Sequence, residues 1–220
     1  MTPSAQSVSR RTLATRDARW ARTLAACLAA WGVRPNSVSI AGSAFACVSA
    51  TAFYISAGFS PGARAAILLV AAACIQLRLL CNLLDGMLAV ECGLKTPVGE
   101  IFNELPDRLA DVMILAGAGY AAPDIPASAT LGWTAAVAAL FTAYVRVLGG
   151  ALGQKQQFIG PMAKQHRMFV LTLGTIVVAV ETLTSGTQRI MPAALAVILA
   201  GSSVTAARRV HRIAVEARAR

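Results

Sequence analysis

The chain has 220 residues, 56% of them hydrophobic, and a formal net charge of +10. Together with a mean hydropathy of +0.62, this composition argues against a soluble domain and indicates a membrane protein. A strongly basic chain is compatible with nucleic-acid binding, but no basic module interleaved with aromatic residues accompanies the charge. Anchoring to membrane lipids explains the charge better, and no nucleic-acid partner is expected.

Residues 1–35 form a basic N-terminal segment. Its arginines are Arg10, Arg11, Arg16, Arg19, Arg22 and Arg34. Their spacing favours an amphipathic segment that lies on an anionic membrane face, with a solvated tail as the alternative for residues 1–12. No cleavable signal peptide is expected, because no compact apolar core precedes a small-residue cleavage site.

Residues 36–206 form the predicted membrane domain. About 20 apolar residues in a helix span the ~30 Å hydrocarbon core of a bilayer. Six stretches approach that length: 37–58, 65–84, 109–123, 128–148, 168–185 and 189–206. The third looks short because its first turns are polar, and we expect the whole helix to cover 99–122. The sequence therefore predicts an all-α polytopic membrane protein with six transmembrane helices.

The distribution of lysine and arginine predicts the orientation. Basic residues concentrate in the N-terminal segment, in the loop before the fifth span and in the tail 207–220, whereas the alternate loops contain only Arg64 and Arg189. The positive-inside rule then places both termini in the cytoplasm and the chain in the inner membrane. A six-helix transporter is a weaker alternative, because it predicts internal repeats and broken helices that the sequence does not show.

Two polar stripes interrupt the apolar pattern. The second span should continue as a helix to about residue 91, with Asn82, Asp85, Gly86 and Ala89 on one face. The small residues of that face let a planar ligand approach the backbone, or alternatively serve tight helix packing at Gly86.

The second stripe lies on the third span. Its residues follow helical spacing and are Glu100, Asn103, Glu104, Asp107 and Asp111. Four carboxylates this close together repel one another unless a cation neutralises them, and oxygen ligands suit Mg²⁺ or Mn²⁺. A short turn around residues 93–98 is expected to fold this stripe back against Asp85.

The two stripes resemble the signature of the CDP-alcohol phosphotransferase family, D-x2-D-G-x2-A-R-x8-G-x3-D-x3-D, and match its spacing at every step. The residues that agree with the family pattern are Asp85, Gly86, Ala89, Gly99 and Asp107. Asn82 and Asn103 replace the first and third aspartates, and Val90 replaces the arginine.

The resemblance implies roles for these residues. Asn82, Asp85, Asn103 and Asp107 would hold Mg²⁺ or Mn²⁺, with Glu104 or Asp111 supplying a carboxylate that the asparagines lack. Asp107 aligns with the residue proposed as the family's catalytic base, and serving as a metal ligand alone is its alternative. Gly86, Ala89 and Gly99 would contact the nucleotide of the donor.

Four basic residues are candidates for binding phosphate or the acceptor. Arg146 resembles a family arginine near the substrate phosphate, and Lys164 and Arg167 precede the fifth span. Arg78, one turn before Asn82, either replaces the charge lost at Val90 or pairs with a carboxylate to survive burial.

The activity that the resemblance implies is transfer of a phosphatidyl group from a CDP-linked lipid, such as CDP-diacylglycerol, to a small alcohol or alcohol phosphate. CMP would be released, as a step of phospholipid biosynthesis. The alternative is an inactive member that binds nucleotide-lipid or metal without turnover. Homodimerisation is expected by analogy with the family only.

Overall fold

The computed structural model describes residues 18–94, 98–154 and 157–219, without the side chain of Glu100, and these residues form helices and connecting turns. The helices are α1 (Arg19–Ala30), α2 (Pro35–Ser56), α3 (Pro61–Val90), α4 (Gly99–Gly119), α5 (Ala127–Ala151), α6 (Lys164–Thr184) and α7 (Ile190–Arg218). The predicted all-α polytopic membrane fold is confirmed. Residues 1–17, with Arg10, Arg11 and Arg16, lie outside the described residues, as does part of the predicted turn at 93–98.

Five of these helices, α2, α3, α5, α6 and α7, are long and apolar enough to cross a membrane. The sixth expected span corresponds to α4, which falls short of that hydropathy because it carries the polar stripe. It nevertheless packs against both α2 and α5. The helix that carries most of the candidate site is therefore held inside the bundle by its more apolar neighbours.

The residues at the helix ends explain where several helices begin and end. Pro35 and Pro61 begin α2 and α3, where a missing backbone N–H costs no helical hydrogen bond. The second span continues as a helix to Val90, as predicted. The expected division at residues 206 and 207 falls inside α7, which continues to Arg218.

Small residues bring α4 close to its neighbours. A Cβ atom built on Gly119 would lie 2.7 Å from the backbone oxygen of Ser128 in α5, and one built on Gly117 would lie 2.9 Å from that of Ala50 in α2. Such backbone contacts are typical of membrane helix pairs. They leave little room for α4 to shift relative to α2 and α5.

Both described ends of the chain lie at one end of the bundle. Ala21 and Ala25 of α1 pack against the last turns of α3, beside Met87 and Leu88. Near the other terminus, the guanidinium of Arg209 donates to the backbone oxygens of Thr142 and Ile159 at 2.7 and 3.0 Å. In α1, Arg19 and Arg22 are exposed, whereas Ala21 and Ala25 are buried.

Candidate functional site

The polar stripes of α3 and α4 face each other at the end of the bundle that holds α1. The amide nitrogen of Asn82 donates to both carboxylate oxygens of Asp107 at 3.1 Å and to the side-chain oxygen of Asn103 at 3.3 Å. Asn82 and Asp107 are the first and last positions of the signature spacing. Helical periodicity predicts each face, and these contacts bring the two faces together.

Asp85 is buried beside α2, with 5% of its surface exposed. The Ser39 hydroxyl donates to one carboxylate oxygen at 2.7 Å, and the other oxygen, Oδ1, has no hydrogen-bond partner. A buried carboxylate oxygen without a partner is costly, and it marks a position where a cation or a donor would be stabilised. Nothing local in the sequence links Ser39 to Asp85, which lies 46 positions away.

Asp107 is surrounded by basic groups from other helices. The Lys164 ammonium, at the start of α6, donates to Asp107 Oδ2 at 2.5 Å and to Asn82 Oδ1 at 2.7 Å. The Arg78 guanidinium donates to Asp107 Oδ1 at 3.2 Å and to the Asp107 backbone oxygen at 3.0 Å. The candidate base therefore has a fixed position between α3 and α6.

Asp111 lies one turn deeper, between two buried arginines. Arg78 and Arg167 donate to its two oxygens at 2.8 and 2.9 Å, and each arginine is 2% exposed. Arg167 also donates to the Met162 backbone oxygen and the Thr142 hydroxyl at 3.1 and 3.2 Å. Buried charges need such pairing, so the alternative that Arg78 pairs with a carboxylate matches these contacts.

Glu104 faces away from Asp85 and contacts arginines instead. Arg146 donates to both of its oxygens at 2.7 and 2.8 Å, and Arg108 donates to one at 2.8 Å. The Arg146 guanidinium also lies 5.7 Å from the centre of the Phe158 ring. Arg108 and Phe158 were not predicted as site residues, although Arg108 sits one turn after Glu104 at the spacing of a helical ion pair.

Two cavities meet at these residues. The larger, which we call the cleft, has a cavity volume of about 460 Å³. Its charged lining residues are Glu104, Asp107, Arg108, Arg146, Lys164, Arg167 and Arg209. Five basic residues against two acidic ones favour an anionic ligand, and the volume admits a nucleotide head group.

The smaller cavity, which we call the recess, has a cavity volume of about 10 Å³ and reaches Ser39, Arg78 and Asp85. It shares three lining residues with the cleft, namely Asn82, Asn103 and Asp107. Of the predicted nucleotide contacts, Gly86 lines the cleft, whereas Ala89 and Gly99 line neither cavity. The residues shared by both cavities therefore lie between the recess and the cleft.

The predicted metal ligands differ in what they can still bind. Glu104 and Asp111 are held by arginines, and Asp107 is held by Lys164, Arg78 and Asn82, so Asp85 is the one among these four with an oxygen that has no partner. Across the described parts of the chain, no three His, Cys, Asp or Glu residues form a metal-binding group. Asp85 and Asn103 line the same recess, and the Asn103 side-chain oxygen accepts from Asn82 there.

Solved structures share the fold of this chain. The structure of Mycobacterium tuberculosis phosphatidylinositol phosphate synthase (PgsA1) with CDP-DAG bound matches with a TM-score of 0.73 at 19% identity, over 89% of this chain and 94% of that one. The same protein in complex with manganese and citrate matches with a TM-score of 0.71 at 19% identity, over 88% of each chain. This level of identity shows the fold.

Sequence similarity to curated proteins is more limited. The inner membrane protein YnbA of Escherichia coli (strain K12) is 29% identical over 105 residues, which are 47% of this chain and 50% of that protein. The match thus spans half the length of that relative, and no protein-family model matches the chain. The chain is a polytopic membrane protein that shares its fold with the mycobacterial synthase, with a charged cleft where its two polar stripes meet.

Proposed function

We propose that the chain transfers a phosphatidyl group from a CDP-linked lipid, such as CDP-diacylglycerol, to an alcohol acceptor with release of CMP, in phospholipid biosynthesis. The observation that carries this proposal is that Asp107, the last aspartate of the signature spacing, lines an arginine-rich cleft together with Asn82 and Gly86. The fold shared with a synthase solved with CDP-DAG bound supports the same donor.

The cleft's own residues supply donor binding in this proposal. Arg108, Arg146 and Lys164 line it from three different helices, and guanidinium groups bind phosphate oxygens in a bidentate geometry. Gly86 also lines the cleft, where the absence of a side chain would let the flat face of the cytidine approach the backbone of α3. The acyl chains would extend into the bilayer along the apolar outer surface of the bundle.

Asp107 is the residue that we assign as base. The acceptor oxygen attacks the phosphorus that bears the diacylglycerol, and the bond from this phosphorus to the phosphate of CMP breaks. The electron pair of that bond leaves on CMP, while Asp107 accepts the proton of the acceptor hydroxyl. Asn82 and Lys164 hold the Asp107 carboxylate at the boundary between recess and cleft.

We also propose that Asp85 and Asn103 hold one Mg²⁺ or Mn²⁺ in the recess. The unpartnered Oδ1 of Asp85 supports this assignment, as does the manganese in the complex of the mycobacterial synthase. When bound, the ion would contribute positive charge to neutralise the pyrophosphate of the donor.

The orientation that we propose places the cleft at the cytoplasmic face of an inner membrane. Trp20 of α1 and Arg209 of α7 line the cleft, so both described ends of the chain share that face. The name of the Escherichia coli relative supports an inner membrane location. Reporter fusions at residues 158 and 215 should both give cytoplasmic signals, and a periplasmic signal at residue 158 would reverse the orientation.

A second candidate function is binding of the nucleotide-lipid without turnover. It is favoured by the amides at Asn82 and Asn103, which lower the negative charge of the cluster. This alternative predicts tight binding of CDP-diacylglycerol with no CMP release. Under this alternative, changing both asparagines to aspartate could produce CMP release.

The deciding experiment measures CMP release by purified protein from CDP-diacylglycerol, with Mg²⁺ or Mn²⁺ and a panel of alcohols and alcohol phosphates. We expect release that depends on one acceptor of the panel and is lost in Asp107→Asn. The control is Asp124→Asn, the same chemical change on an exposed residue outside the cleft. Binding of the donor without release for any acceptor would favour the second function, and absence of both would overturn the proposal.

A further inference from the structure

We propose that the Lys164 ammonium occupies a cation position between α3 and α4, in place of a divalent metal ion. This inference rests on the proposed function, because it assigns the cations that face the pyrophosphate of the donor. The consequence is a site with one exchangeable metal ion in the recess and one positive charge that belongs to the chain.

The first argument is the position of the ammonium. Lys164 Nζ lies 2.7 Å from Asn82 Oδ1 and 2.5 Å from Asp107 Oδ2. Sequence reasoning assigned both residues as ligands of a metal ion, and Lys164 was assigned to the acceptor instead. An ammonium has three donors, and here two of them satisfy oxygens of two different helices.

The second argument is the charge of the cluster. Its carboxylates are Asp85, Asp107 and Asp111, and its cations are Arg78, Lys164 and Arg167. Three negative groups face three positive groups, so these side chains carry no excess of negative charge. Aspartates at positions 82 and 103 would add two negative charges, which is the charge that one divalent cation neutralises.

The amides and the lysine therefore complement one another. A neutral amide oxygen accepts a hydrogen bond from an ammonium without adding charge, and Asn82 does so while its nitrogen donates to Asp107. An aspartate at position 82 has no N–H to donate to Asp107 and would repel its carboxylate. Asn82 thus suits a site in which a lysine lies between these two residues.

The third argument is that Lys164 is held in place by its surroundings. It is the first residue of α6, directly after the buried Ala163. One turn later, Arg167 fixes the start of the helix through Asp111 and the Met162 backbone oxygen. The ammonium also lines the cleft, so it can contact an anionic ligand while it stays bonded to Asp107.

The test counts Mn²⁺ ions per chain in purified protein by electron paramagnetic resonance and calorimetry, so that it does not depend on turnover. The three variants are Asn82→Asp with Asn103→Asp, Lys164→Met, and the combination of all three changes. We expect the paired aspartates alone to leave the count unchanged. Combined with Lys164→Met, they should raise it by one.

Two further variants serve as controls for this comparison. Lys164→Arg with both aspartates keeps the positive charge and should keep the lower count. Arg208→Met removes an exposed positive charge of α7 and should bind Mn²⁺ as the unchanged protein does. Thermal unfolding of every variant separates a lost site from a lost fold, and the Lys164→Arg protein tests the charge even where Lys164→Met does not fold.

Two results would overturn the inference. One is an additional Mn²⁺ bound by the paired aspartates while Lys164 is present, and the other is no additional Mn²⁺ when all three changes are combined in folded protein. Failure of the proposed function would look different, because the unchanged protein would then neither bind CDP-diacylglycerol nor release CMP. The Mn²⁺ counts would remain interpretable in that case.

Discussion

The two ends of the bundle both bury charged groups, but they satisfy them with different partners. At the cleft end, Asp107 and Asp111 pair with cations from α3 and α6. At the opposite end, Glu181 accepts from the Thr187 hydroxyl and, at 3.1 Å, from the Arg189 backbone nitrogen. There, Arg64 donates to the backbone oxygen of Ala121 at 2.6 Å.

This difference separates a candidate reaction site from structural polar contacts. The Glu181 and Arg64 side chains bond to nearby turns and backbone, which ties the loops between helices. The cleft end instead concentrates ion pairs around the cleft, which is lined by five basic residues. Ionisable groups at membrane depth are costly and mark functional positions. We therefore assign the function to the cleft end of the bundle, which has the excess of positive charge.

The largest effect should come from the candidate base. Asp107→Ala should lower the rate of CMP release by about 10² to 10⁴-fold, the range that a positioned base contributes. The measurement is turnover of CDP-diacylglycerol at saturating acceptor, with unfolding followed in parallel. Near-normal turnover in folded Asp107→Ala would show that Asp107 is not the base. The cleft end would then have no catalytic group that the opposite end lacks.

A large loss of stability should follow from Asp111→Asn. The amide has lost the charge that neutralises Arg78 and Arg167, and breaking a buried ion pair costs about 3 to 5 kcal/mol. Thermal unfolding in detergent measures the effect, and Asp124→Asn on the exposed loop is the matched control. If both variants unfold at the same temperature, the buried cluster does not hold α3, α4 and α6 together.

A smaller effect is expected where the cleft meets the donor. Arg146→Ala should raise the KM for CDP-diacylglycerol about tenfold, equivalent to about 1.4 kcal/mol, with a lesser change in kcat. Its matched control is Arg212→Ala, which removes an arginine that is paired with Glu216 on exposed α7. A reduced kcat at unchanged KM would mean that Arg146 acts in the chemical step instead.

The smallest effect on turnover should come from the opposite end. Glu181→Gln keeps the one acceptor oxygen that Thr187 and Arg189 share, so it should lower stability by less than about 1 kcal/mol, the net value of one hydrogen bond. CMP release should stay within about twofold of the unchanged protein. A loss comparable to that of Asp107→Ala would show that the two ends do not differ in function.

Periodicity and hydropathy predicted the parts of the fold that depend on local sequence. The helix expected over 99–122 is observed as Gly99–Gly119, and α3 continues beyond its apolar part to Val90. Each polar stripe could also be predicted, because residues three and four positions apart share a helix face.

Contacts between distant helices could not be predicted in the same way. The bond between Lys164 and Asp107 joins residues 57 positions apart, and that between Ser39 and Asp85 joins residues 46 apart. A single sequence contains no local signal for such pairs. The expectation that Glu104 or Asp111 replaces the missing aspartates stays a prediction, whereas the structure pairs both with arginines.

The most direct test follows the phosphorus atom that the proposed reaction transfers. CDP-diacylglycerol labelled with ³²P at the phosphate next to the diacylglycerol is incubated with the purified protein and the acceptor panel. We expect the label to appear in a new phospholipid, to depend on one acceptor and to be absent with Asp107→Asn. Label that stays in CDP-diacylglycerol with every acceptor, in folded protein that binds the donor, would contradict the account.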